Sequence, residues 1–98
     1  MSDLKFGAIG WMDLTVPNAS ELRDFYAAVA GWHPQDVKMG DYADYTMRTS
    51  ETGEAVAGVC HAKGTNVGIP TQWLVYVSVP DLDASLAECV KRGGKVYR

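Results

Sequence analysis

The segment WMDLTVPN at residues 11–18 returns as LVYVSVPD at residues 74–81, and this repetition constrains the fold more than any other feature. Each copy alternates like a strand, runs through Val-Pro into a capping residue, and opens a helical pattern. In the first, Met12, Leu14 and Val16 share one face, while Trp11, Asp13 and Thr15 share the other. Pro17 ends the strand, and Asn18 with Glu21 three residues on predicts a capping box. Leu22, Phe25, Tyr26 and Val29 follow at helical spacing, with Gly31 as the stop. The second copy predicts a strand at WLVYVSV (residues 73–79) and a cap at Asp81. Its helix has Leu82, Leu86, Cys89 and Val90 on one side and ends at Gly93-Gly94. Pro17 to Pro80 is 63 residues, and so is Gly31 to Gly94. A strand phase, a cap and a helix stop that share one offset indicate a duplicated unit. At that offset Trp11, Asp13 and Thr15 correspond to Leu74, Tyr76 and Ser78.

Between the copies, strands are expected around WHPQDVKM, YADYTMRT and AVAGVCHA, separated by the turn signals Gly40-Asp41 and SETGE. The connection KGTNVGIPTQ precedes the restart. The reading is therefore α+β: a βαβββ module over about residues 7–63, then a partial second module over about 72–98, in a single domain of 98 residues. A composition of 47% hydrophobic and 21% charged residues is that of a globular chain. No apolar run is long enough for a bilayer, and MSDLKFGAIG has neither a basic opening nor a long apolar stretch, so no membrane partner is expected. A net charge of −3, with only KRGGKVYR as a short basic cluster, argues against a nucleic-acid partner. Cys60 and Cys89 have no CxxC spacing and read as reduced thiols of a cytoplasmic protein and as small core residues. GxSxG, P-loop and GxGxxG signatures do not occur.

The pattern GWMDLTVPNASELRDFYAAVAGW, then AVAGVCHA, then QWLVYVSVPDLDASLAECVKRGGKV resembles the vicinal oxygen chelate superfamily. That superfamily groups glyoxalase I, bleomycin-resistance proteins and extradiol dioxygenases. The resemblance covers nearly the whole chain, and FYAAVAGW and VPDLDASL carry it most clearly. It implies paired βαβββ modules whose sheets curl into a cup, often completed or doubled by dimerisation. A second module as long as the first would run about 27 residues beyond Arg98, so either the chain is a piece of a longer protein or a second chain covers the open sheet edge, and a homodimer is expected.

With the apolar strand faces on the helices, Trp11, Asp13, Thr15, Leu74, Tyr76 and Ser78 would line the cup. Polar groups interleaved with aromatics there suit a small-molecule ligand; an ordinary wet sheet face is the alternative. Tyr45 is a further ligand-stacking candidate, as is Tyr42, although either could simply cover the core. Asp13, set between Trp11 and Thr15, is the candidate general base; a hydrogen-bonded carboxylate without a catalytic role is the alternative. Metal-dependent members of the superfamily draw His and Glu from the first and last strands of each module. The matching strand-opening positions here are Trp11 and Leu74, neither of which binds a metal. His61 is the single ligand-type residue near an expected position, and a catalytic site needs about three. No cofactor is expected on these grounds, a divalent metal being the alternative. Three classes stay open: a metal-independent binder of a partly aromatic metabolite or drug, a glyoxalase- or dioxygenase-type enzyme, and a structural module without a ligand.

Overall fold

Alternating sequence becomes sheet over the expected segments in the computed structural model, which describes residues 5–97. The elements are β1 (Ile9–Val16), α1 (Ala19–Ala30), β2 (His33–Lys38), β3 (Ala43–Arg48), β4 (Ala55–His61), β5 (Trp73–Val77) and α2 (Leu82–Lys91). A single 3-10 turn, Gly64–Asn66, lies in the connection before β5. The five strands form one sheet in the order β2-β3-β4-β1-β5. β1 and β4 are parallel; every other neighbouring pair is antiparallel.

The parallel β1/β4 pair requires a crossover, and α1 begins it by packing over β4 and β2. Gly31 closes α1 in the left-handed conformation, φ 72°, as its lack of a Cβ allows. The helix start differs from the expected capping box. Asn18 sits at φ −116°, ψ 51°, away from the extended backbone that aims a capping side chain at the helix, and makes no side-chain cap bond. Its carbonyl instead accepts from the amides of Glu21 and Leu22, while Nδ2 donates to Glu21 Oε2 at 3.3 Å. Asp81 does sit in extended backbone, and its Oδ1 accepts from the Ala84 amide at 3.1 Å.

Strand register sorts the side chains. Leu14 pairs with Val59 and Tyr45 pairs with Val59 from the other side, so Leu14, Val16, Tyr45, Met47, Ala57 and Val59 share the face under α1. With Ala19 of the helix they form the core, and Met47 and Val59 are its fully buried large side chains. Burial of each such side chain stabilises the fold by about 1.5–3 kcal/mol. Tyr26, Trp32 and Trp73 extend this layer toward β5, with ring centroids 5.3 to 6.2 Å apart. Trp73 Nε1 donates to the Tyr26 hydroxyl at 3.1 Å, so Trp32 and Trp73 pack about Tyr26.

Two further differences concern the C-terminal part. β5 stops at Val77 rather than at residue 79, and its outer edge is unpaired in the sheet. α2 forms with the expected apolar side, but Leu82, Leu86 and Val90 are exposed, and so is Cys89, which therefore is not a core residue. Among the described residues no strand lies beyond β5 for this helix to cover.

Candidate functional site

The face opposite α1 carries Trp11, Asp13 and Thr15 from β1, Leu74 and Tyr76 from β5, and Gly58 and Cys60 from β4, as the registers Asp13↔Gly58, Asp13↔Leu74 and Trp11↔Tyr76 require. At its centre is the Asp13 carboxylate. Trp11 Nε1 donates to Asp13 Oδ1 at 2.6 Å, and the Tyr76 hydroxyl donates to Oδ2 at 2.9 Å. Asp13 and Tyr76 are the two residues that correspond at the 63-residue offset. The β1/β5 ladder pairs Met12 with Val75, also 63 apart, and because the strands are antiparallel the positions on either side of that pair are exchanged: Asp13 faces Leu74 and Trp11 faces Tyr76.

Gly58 makes room for this group. A Cβ there would run into Asp13 Oδ1 and come within 3.5 Å of the Trp11 ring. Deeper on the same face, Cys60 lies beside Asp44 and Asp13. Burial, reinforced by those two carboxylates, pushes its thiol up to about 12. Such a thiol stays protonated and is a poor nucleophile. Burial also pushes the Tyr76 phenol above its usual range, with the bond to Asp13 second. Both groups are therefore neutral near pH 7.

Beside the cluster is a cavity of about 450 Å³ lined by Ile69, Pro70, Gln72, Leu74, Tyr76 and Tyr97. Its size and mainly apolar lining are those of a small-molecule pocket. Leu74 and Tyr76 connect it to Asp13. The structure thus brings together four of the expected residues: Trp11, Asp13, Leu74 and Tyr76. Thr15 shares their face but is buried, and Ser78 lies past the end of β5, its backbone bonded to Gly7 and Ala8. Tyr45 and His61 lie on the other face. Tyr45 is a core residue whose hydroxyl is 2.9 Å from Ser20 Oγ on α1. His61 Nδ1 donates to the Ala43 carbonyl at 2.9 Å, and its ring contacts Tyr42 and Tyr45. Neither is within the Asp13 group.

Sequence reasoning passed over Gly58, Cys60 and Asp44 as parts of this face. Asp44 is a buried carboxylate that accepts from the His61 amide at 2.8 Å. The strand phase of AVAGVCHA, with Gly and Cys two apart, was the available signal.

The strand-opening positions hold Trp11 and Leu74, and no group of three or more His, Cys, Asp or Glu side chains among the described residues could hold a metal ion. These residues do not fit a catalytic metal. Chemically, the arrangement is a carboxylate with both oxygens engaged, a phenol held by it, and an apolar cavity alongside. Among the described residues no helix is long and apolar enough to cross a membrane.

Comparison with known proteins gives the following. The family model described as Glyoxalase/Bleomycin resistance protein/Dioxygenase superfamily matches residues 8–98. A protein named "Putative glyoxylase CFP32" from Mycobacterium tuberculosis is 34% identical over 97% of this chain and 37% of its own length, as is its Mycobacterium bovis counterpart. The anthracycline biosynthesis protein DnrV of Streptomyces peucetius is 31% identical over 92% of this chain and 32% of its own length. The chain thus spans about a third of the length of these relatives.

Proposed function

Because the chain belongs to the glyoxalase/bleomycin resistance protein/dioxygenase superfamily, we propose that it holds a small, partly aromatic molecule in the cup beside Asp13, without a metal. The observation that carries this is the cavity of about 450 Å³ that opens on Leu74 and Tyr76, next to the Trp11–Asp13–Tyr76 group. An apolar lining supplies affinity, and the few polar groups fix orientation. The likeness to proteins named for anthracycline biosynthesis supports an aromatic ligand. The two strand–helix units are copies of one module in this reading. A second copy of the chain covers the free edge of β5, and the free thiols Cys60 and Cys89 suit the cytoplasm.

A metal-dependent enzyme is the second reading, favoured by the likeness to a protein named as a glyoxylase. A thermal-shift screen of chelator-treated protein separates the two. It is run with divalent metals and, separately, with aromatic compounds. A shift with an aromatic compound alone, reduced by Leu74→Ala, is the expected result. A shift that requires a stoichiometric metal would overturn the metal-free reading.

A further inference from the structure

The proton of the Tyr76 hydroxyl is directed at Asp13 Oδ2, 2.9 Å away, and this fixes what the phenol can offer a ligand. A phenol has one O–H and two lone pairs. With the O–H committed, only the lone pairs remain. Asp13 cannot release it at low cost, because Oδ1 is already held by Trp11 Nε1 and the carboxylate is fixed between the two donors. The other ring donor on this face, the Trp11 N–H, is spent on the same carboxylate. Among the described residues, the cavity lining, Ile69, Pro70, Gln72, Leu74, Tyr76 and Tyr97, includes no cation that would offset the Asp13 charge.

From this geometry we infer that Tyr76 is a specificity-determining acceptor, and that the site takes uncharged aromatic molecules bearing a hydroxyl or N–H donor while rejecting carboxylates. The inference rests on the cup reading above and deepens it. Gln72 and the Tyr97 hydroxyl can each donate or accept, so discrimination falls to the one group whose role is fixed. An anionic ligand would face the Asp13 charge across one phenol, with only the neutral donors of Gln72 and Tyr97 to offset it. Tyr76 stays protonated at neutral pH, in keeping with this role.

The test uses three probes with one ring system: 2-naphthol (donor and acceptor), 2-methoxynaphthalene (acceptor only) and 2-naphthoate (anion). Dissociation constants are measured at pH 7 by ligand-observed NMR titration. Wild type is expected to bind 2-naphthol about fivefold more tightly than the ether, as one hydrogen bond warrants, and the carboxylate most weakly. Tyr76→Phe, at an exposed position, should bind 2-naphthol and the ether alike. Asp13→Asn should erase the preference for 2-naphthol over the ether and strengthen binding of the carboxylate. Its Oδ1 stays on Trp11, its Nδ2 donates to the phenol oxygen, and the freed O–H can donate to the oxygen of any of the three probes. Equal binding of the three probes by wild type, or an unchanged order in both variants, would overturn the inference and leave the cup reading standing. Failure of wild type to bind any probe would overturn the cup reading and the inference with it.

Discussion

Leu14, Val16 and Ala19 are 5%, 3% and 0% exposed, whereas Val77, Val79 and Leu82, which follow them at 63 residues, are 52%, 36% and 63% exposed. The residue types are comparable and the local elements are the same, a strand into a helix. What differs is the neighbour on the far side. β1 lies between β4 and β5, and β4 widens the platform that α1 covers. β5 has β1 on one side and a free edge on the other. An amphipathic pattern therefore specifies which face is apolar, but burial of that face depends on a strand brought alongside from elsewhere in the chain.

The sharpest way to break this comparison is to truncate matched residues. Leu14→Ala should cost about 2–5 kcal/mol in urea unfolding, because it opens a cavity in a packed core. Val77→Ala, its counterpart, should stay within about 0.5 kcal/mol, as exposed positions do. A cost for Val77→Ala above about 1.5 kcal/mol would show that β5 is covered in solution. A doubled mass in sedimentation would then identify a second copy as the cover.

The next test probes the strand pair that joins the two regions. Gly58→Ala puts a Cβ against Asp13 Oδ1 and should cost about 1–3 kcal/mol, since the carboxylate must leave Trp11 or Tyr76. Asp13→Ala in the Gly58→Ala background should recover part of that loss, a coupling that a double-mutant cycle measures. Purely additive losses would mean that the Cβ is accommodated without moving Asp13.

Much of this was legible along the chain. The limits of β1, its two faces and the Gly31 stop follow from local pattern, because side-chain alternation and the need for positive φ are properties of a few consecutive residues. The joining of Trp11, Asp13, Leu74 and Tyr76 was legible too, since the repeat supplied the phase of both strands. Tyr45 and His61 were not placed, because their face depends on how β3 and β4 register against β1, which the turns set and no local pattern states. Thr15 has the right phase but is buried, and depth depends on what covers a strand. The exposure of α2 was hidden for the same reason.

The two helix starts offer a third test. Asp81 caps α2 through its side chain, and α2 lacks a packed face to hold it, so Asp81→Ala should cost about 1 kcal/mol of helix stability. Faster amide hydrogen exchange across residues 84–91 reads this directly. Asn18→Ala should leave α1 exchange almost unchanged, since Asn18 caps through its backbone and packing holds that helix. Equal effects would mean that packing does not distinguish the two helices.

The smallest effect concerns the two thiols. Cys60 is half-buried beside Asp44 and Asp13, and its thiol is pushed up to about 12 from an ordinary 9.0. Below pH 9 the folded and unfolded chains both hold that proton, so it contributes nothing to pH dependence. Between pH 9 and 12 the unfolded chain releases the proton and the folded one keeps it. The unfolded state then binds fewer protons, and stability falls as pH rises. Wild type should therefore lose more in Tm across that window than Cys60→Ala, whose unfolding has no such thiol to ionise. Cys89→Ala, at an exposed position on α2, should follow wild type. If Cys89→Ala instead flattened the profile as Cys60→Ala does, α2 would be buried in solution and the contrast between the two strand–helix units would fail.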